Sequence, residues 1–329
     1  MRHHGLDKIA PSLPPAKRVE GLRTWQARER DLRELLVACG LTEVINYAFI
    51  SAASTAAVAG APVALLNPLS EDQAVLRRSV VVPGLLSTLD VNLRQGRRDL
   101  GVFEIGRVFG EARPLPHEER RLGVLLHGSV ATRRLASDER RAANFFDAKG
   151  IVEAIGRRLE CALEIAAGET PSYLHPGQSA LVRANGQTIG SLGAVHPDVA
   201  AQHELREAAV LLEIALDGIL GLVPSARRLA SLARFPAVSR DLSFVCDAGR
   251  PAADLVAAAR QAGGDLLQSV SVTDLWAGKG IADGKVSLTL TLRYQHPART
   301  LTSEEVQQSV DFVVQALAAS GAQMKTRGE

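Results

Sequence analysis

The sequence predicts an α+β protein in two parts: a mostly antiparallel sheet flanked by helices, then a smaller unit with βαββαβ element order. Three observations carry this expectation. Strand-like segments cluster after a pair of helical segments, without strict βαβ alternation. The final third of the chain runs strand, helix, two strands, helix, strand. At 329 residues the chain also exceeds the roughly 250–300 residues that one hydrophobic core usually supports.

Leu32, Leu35, Leu36 and Cys39 recur at i, i+3, i+4 and i+7, which predicts a helix over residues 26–39 with Gly40 as its left-handed stop. Residues 42–50, rich in β-branched and aromatic side chains, read as one strand. Pro83, allowed in a first turn, opens a second helix carrying Leu85, Leu89 and Leu93 and closed by Gly96. Strands follow over residues 101–109 and 122–127. The doublets Arg97-Arg98, Arg120-Arg121, Arg133-Arg134 and Arg140-Arg141 fall near turns and read as solvated loop charge in preference to phosphate contacts. Phe145-Phe146-Asp147 leads into a helix with Ile151, Ile155 and Leu159 four residues apart. Short strands then alternate with turns, of which Ala184-Asn185-Gly186-Gln187 carries a hairpin signal. Pro224-Ser225-Ala226 begins a linker.

The last part is the clearest. A strand over residues 241–246 precedes a helix over 252–262, strands over 271–276 and 286–294, a helix over 303–319 and a final strand over 323–327. This is the ferredoxin-like arrangement. Thr302 and Glu305 form a capping box, and Val306, Val310, Val313 and Leu317 give the helix its buried stripe. Val286, Leu288, Leu290, Leu292 and Tyr294 alternate strictly with Ser287, Thr289, Thr291 and Arg293. Because both helices cover one face, the polar set faces solvent or a ligand, as in sheet-based RNA modules.

Composition narrows the function. The net charge is +2, and from Leu232 onward ten Lys and Arg meet ten Asp and Glu, which argues against non-specific nucleic-acid binding. No apolar run nears the roughly 18 residues of a membrane span, and Met1-Arg2-His3-His4-Gly5 lacks the apolar core of a secretory signal. A soluble, cytoplasmic protein with no membrane partner is expected. Cys39, Cys161 and Cys246 show no metal or disulfide spacing and read as small buried hydrophobes. Gly278 to Gly284 has the wrong spacing for a phosphate loop and reads as a hairpin loop, and the histidines show no metal-site pattern. No G-x-S-x-G elbow supports a serine hydrolase.

Several stretches carry a family resemblance. Asn67-Pro68-Leu69-Ser70-Glu71-Asp72-Gln73 through Arg77-Arg78-Ser79, then Pro83-Gly84-Leu85-Leu86, resembles the catalytic-like module of the bacterial phenylalanine-tRNA ligase beta subunit. Gly5 to Pro11, Leu174 to Ala180 and Gly190 to Pro197 agree in order and spacing. Arg234-Phe235-Pro236 through Arg240-Asp241 resembles the opening of the family's anticodon-binding domain. The resemblance divides the chain into 1–18, the tail of a preceding domain; 19–225, a class II synthetase-like module; 226–231, a linker; and 232–329, the anticodon-binding domain. It covers the C-terminal part of a longer subunit, so the family's upstream editing domain and magnesium ligands are not carried over.

The resemblance implies a scaffold with no catalytic residue. Class II synthetases grip the α-phosphate of ATP with a Phe-Arg-x-Glu strand. Phe103 to Glu111 resembles that strand but puts Gly110 in place of the arginine. A late Gly-rich segment ending in a γ-phosphate arginine is also missing, and losing one such donor typically costs 10²–10³ in rate. The alpha subunit would therefore use ATP and Mg²⁺ in an (αβ)₂ heterotetramer, this chain binding neither. The helix at 26–39 would lie at a subunit interface or in an ordinary core. The anticodon loop of tRNA-Phe would meet Asp274, Trp276, Ser287 and Lys325. There Trp replaces a tyrosine and keeps a stacking platform, while Lys replaces an arginine and loses the bidentate fork. Ordinary surface polarity and a packed hairpin aromatic are the bland alternatives. Arg240-Asp241 marks the family without an assigned contact, the bland reading being that it fixes the entry of the first strand. A stand-alone RNA-binding protein and a degenerate synthetase module with new chemistry are the rival readings.

Overall fold

The computed structural model describes all residues except 1, 2, 4, 6, 7, 14–20, 113–114, 130–140, 222–233 and 326–329. The Arg133-Arg134 doublet, Arg140, the 226–231 linker, most of the 1–18 tail and the end of the last strand lie outside the described residues. By contacts the chain forms two units, residues 1–226 and 227–329.

The first unit opens with α1 (Thr24–Ala38), β1 (Thr42–Glu43), β2 (Phe49–Ile50), β3 (Val75–Leu76) and α2 (Leu86–Arg94). It continues with β4 (Leu100–Gly110), β5 (His117–His127), α3 (Phe145–Leu159), β6 (Leu163–Ala166), β7 (Leu174–Ala184), β8 (Gln187–Val195), α4 (Pro197–Gln202), β9 (Ala209–Ala215) and α5 (Asp217–Leu220). Seven strands join in the order β1-β4-β5-β9-β8-β7-β6; only β1 pairs in parallel, with β4. Alternation along each strand builds two apolar layers. Leu32 and Leu36 of α1 and Val152 and Ile155 of α3 pack on Phe103, Leu122, Leu192 and Leu212. Leu85, Leu86 and Leu89 pack on Val102, Leu125 and Leu211 across the sheet.

The β7–β8 turn has Asn185 at φ 50° and Gly186 at φ 76°, the left-handed pair a two-residue hairpin requires. Three expectations need correction. Residues 42–50 form two short strands, because β2 leaves the main sheet to pair with β3. Pro83 does not start the α-helix: Val81–Leu85 is a wider turn, with Leu85 N–H donating to Val80 O at 3.2 Å, and regular helix begins at Leu86. Cys39 is exposed, whereas Cys246 is buried. Helix α1 spends its apolar stripe on α3, and Arg28 Nη2 donates to Leu159 O at 2.5 Å.

The second unit comprises β10 (Val238–Asp247), α6 (Ala252–Gly263), β11 (Leu267–Trp276), β12 (Lys285–Tyr294), α7 (Ser303–Ala319) and β13 (Gln323–Met324). Its sheet order is β11-β12-β10-β13, antiparallel throughout, as a ferredoxin-like fold demands. Phe244, Leu288, Leu290, Leu292 and Tyr294 face Leu255, Val306, Val310, Val313 and Leu317.

Helices α3 and α7 start with the same device. Each has a capping box, Asn144 with Asp147 and Thr302 with Glu305, and in each an arginine six residues upstream, Arg141 or Arg299, grips the box carboxylate. The Arg299 guanidinium and the Thr302 N–H hold the Glu305 carboxyl down at about 2, below its ordinary 4.5. A lowered carboxyl pKa stabilises the fold above the unfolded value and loses that contribution as pH falls through the folded one. Comparing the thermal midpoint of the native protein with that of Glu305→Gln, the native advantage should be full above pH 5 and vanish by about pH 2.

Candidate functional site

On the second layer of the main sheet, apolar packing gives way to buried charge. Arg77 and Glu104 are almost wholly buried and paired at 2.6 Å. Arg77 Nε donates to Arg107 O at 2.8 Å, and Asn46 Nδ2 donates to the other oxygen of Glu104 at 2.9 Å. Gly106 makes the room, since a Cβ there would lie 2.0 Å from Arg77 Nη2. Arg78 donates to the carbonyls of Ala59 and Ala61 at 3.0 and 2.9 Å, and its Nη1 lies 4.0 Å from where a Gly110 Cβ would be. Both guanidiniums beside this strand thus bind within the chain.

Further along the same face, Glu213 of β9 is 4% exposed. Its carboxylate accepts from Val80 N–H at 2.8 Å, Ser79 Oγ at 3.1 Å and Tyr173 Oη at 3.1 Å, with Arg121 Nη1 at 3.7 Å. Burial pushes its pKa up, against the pull of Arg121 and the three donors, and the Tyr173 phenol is pushed well up by burial beside this acid. Glu213, Tyr173 and Arg121 line a cavity of about 590 Å³ together with Glu119, Glu169 and Ser191. Three carboxylates against one guanidinium make this lining acidic. Among the described residues, no group of three or more His, Cys, Asp and Glu could hold a metal ion.

Arg120-Arg121 needs correction, because both residues lie within β5. Arg120 pairs with Glu29 and Asp217 and stacks over the Trp25 ring at 4.1 Å; Arg121 pairs with Glu119 at 2.7 Å. Arg97-Arg98 does sit in a loop. The sequence reading missed Glu213, although one acid inside the apolar run Ala209 to Ala215 was the available signal.

In the second unit, register places all four expected anticodon contacts on the face opposite the helices. Trp276 lies opposite Ser287, and Asp274 opposite Thr289. On the other side of β12, Ser243 lies opposite Thr289 and Val245 opposite Ser287. Lys325 N–H donates to Ser243 O at 2.8 Å, continuing the β10–β13 register. One row therefore reads Asp274, Thr289, Ser243, Lys325, spanning three inter-strand steps or about 14 Å.

A bulge between Val272 and Asp274 resets the alternation of β11, so that Asp274 and Trp276 reach the open face while Leu275 turns to the helix side. The indole is 52% exposed; its Nε1 donates to Lys279 O at 3.4 Å, and a Cβ at Gly278 would lie 3.4 Å from the ring. The hairpin loop thus fixes the ring edge and leaves area for stacking. Ser287 departs from expectation in being 6% exposed, because Trp276 and Val245 flank it at cross-strand distance.

A family model described as the phenylalanyl tRNA synthetase beta chain CLM domain matches residues 9–216. A second, the ferredoxin-fold anticodon binding domain, matches residues 233–325. The phenylalanine--tRNA ligase beta subunit of Shouchella clausii is 33% identical over 323 residues, covering 95% of this chain and 40% of that protein. That of Geobacillus kaustophilus is 36% identical over 313 residues, covering 93% of this chain and 38% of that protein. The chain thus spans about two fifths of the length of the curated relatives it matches. The pyrrolysyl-tRNA synthetase of Desulfitobacterium hafniense aligns over 60% of this chain and 68% of that one, at 15% identity and TM-score 0.46.

Removing one partner of the Arg77–Glu104 pair leaves a buried charge uncompensated. Arg77→Ala should cost about 3–5 kcal/mol in urea unfolding, and Arg77→Met with Glu104→Leu should recover most of it.

Proposed function

The chain belongs to the phenylalanyl tRNA synthetase beta chain family, and from that membership we propose that it serves as a non-catalytic part of phenylalanine-tRNA ligase, scaffolding the alpha subunit and holding the anticodon region of tRNA-Phe. The alpha subunit uses ATP and Mg²⁺ and carries out the aminoacylation, in a cytoplasmic (αβ)₂ heterotetramer. No helix among the described residues is long and apolar enough to cross a membrane.

The observation that carries this reading is the open face of the second unit, where Asp274, Trp276, Ser287 and Lys325 lie on one side of one sheet. Trp276 offers a stacking surface, Lys325 a phosphate contact, and Asp274 an acceptor for a base edge. Ser287, being buried, lends a hydroxyl at the base of the indole and little contact area. In the first unit, the committed guanidiniums and the acidic cavity support a division of labour in which the nucleotide is bound elsewhere.

For the alpha subunit, the best-supported surface is a small sheet. Its central strand, residues 74–77, is flanked by 63–65 and 48–50. The segments that enter and leave these flanks expose Ile45, Tyr47, Leu66 and Leu69, with Ile45 at 92% and Leu69 at 91%. Large apolar side chains grouped this openly mark a surface that a partner covers.

Trp276→Ala should weaken tRNA-Phe binding by about 1–3 kcal/mol without unfolding the protein; unchanged affinity in a filter-binding titration removes Trp276 from the site. Leu66→Asp with Leu69→Asp should abolish co-purification with a co-expressed alpha subunit and leave the thermal midpoint of the isolated chain in place.

A further inference from the structure

Arg240-Asp241, which the resemblance left without a contact, lies in β10, where residues alternate between the covered and the open face. Arg240 stands opposite Leu292 and Asp241 opposite Thr291. Asp241 therefore shares the open face with Asp274 and Trp276, one side-chain repeat, about 6.8 Å, along from the Thr289 row. It is exposed.

Its carboxylate is held by a directed chain of hydroxyls. Asp241 Oδ1 accepts from Thr291 Oγ1 at 2.6 Å. A threonine hydroxyl has one proton, and Thr291 spends its own on Asp241, so in the 3.1 Å contact between Thr273 Oγ1 and Thr291 Oγ1 the donor is Thr273, whose proton also lies within reach of Thr289 O at 3.4 Å. Thr273 is the bulge residue of β11. The chain Thr273 to Thr291 to Asp241 points its protons at the acid, and hydrogen bonds so aligned polarise one another. Thr291 holds Oδ1, and among the described residues no hydrogen bond reaches Oδ2 of this exposed side chain.

Resting on the reading of this face as the anticodon contact, we propose that Asp241 is a further specificity-determining residue, whose carboxylate accepts a hydrogen bond from the exocyclic amine or ring N–H of an unstacked base other than the one at Trp276, which lies two side-chain repeats along and two strands across. A carboxylate repels phosphate, so on an RNA-contacting face it meets base edges. An ionised carboxylate accepts and never donates, which selects edges bearing N–H groups over edges bearing carbonyls alone. Lys325 on one margin and Arg293, on the open face one repeat beyond Thr291 and exposed, supply the cations for the phosphates on either side.

The test is filter binding of the full chain to tRNA-Phe transcripts, native and with each anticodon-loop base replaced singly. Asp241→Asn keeps the acceptor for Thr291 and replaces the second oxygen with a donor. The expected result is an affinity loss of about 5–150-fold, the range of one base-edge discrimination, with an unshifted unfolding midpoint. One base replacement that weakens the native protein should also cost the variant nothing further. Unchanged or tighter binding by Asp241→Asn, while Trp276→Ala still weakens binding, overturns the proposal, since a carboxylate merely near phosphates improves binding when neutralised. If neither substitution changes affinity, the reading of the face fails instead.

Discussion

A single buried carboxylate, Glu213, holds together parts of the first unit that the chain brings from far apart. It joins the turn at Ser79 and Val80, the phenol of Tyr173 at the head of β7 and the guanidinium of Arg121 in β5 to the central strand β9. An acid so deeply enclosed is tolerated only because each oxygen receives donors. The turn it grips leads into α2, whose leucines close the second apolar layer. Gly123 lets that turn lie flat on β5, since a Cβ there would come 2.6 Å from Val80 Cγ2. The ion pair of Arg77 and Glu104 does the same work two strands away, on β4. Together they turn a sheet face built on a synthetase-like plan into a structural interior, with its cations committed to the protein's own oxygens.

What the sequence made legible follows from the range of the forces involved. Helix caps, the Asn185-Gly186 hairpin and the alternation in β12 are local, governed by backbone dihedrals and by which face is dry. Each appears where the pattern puts it. Non-local pairing defeated the pattern elsewhere. Residues 42–50 have one strand's composition, yet β2 is drawn off by β3. Arg120 and Arg121 look like loop charge until Glu29 of α1, Glu213 of β9 and Asp217 of α5 gather around them, with Glu119 of their own strand. The candidate site shows both outcomes: the resemblance named four residues that share one face, but the burial of Ser287 depends on the neighbours it meets across the strands.

The two units use one solution for starting a long helix. An arginine six residues ahead of the box carboxylate neutralises an acid that already receives one backbone N–H bond, from Asn144 in α3 and from Thr302 in α7, so the acid stays ionised at the positive end of the helix. Since Arg299 and Glu305 are largely open to water, this works by geometry more than by low dielectric. It stiffens the entry to α7, the helix that supports the sheet beneath the proposed RNA face.

The irregularity at Thr273 carries a consequence of its own. The chemistry of that face is encoded in a count of residues as much as in their identity. At the same length but without the bulge, with Thr273 drawn into regular pairing, the strand would present Thr273 and Leu275 outward and swing Asp274 and Trp276 beneath. The phase of β11, set by which residue stands out of the pairing, therefore decides which chemistry the face displays.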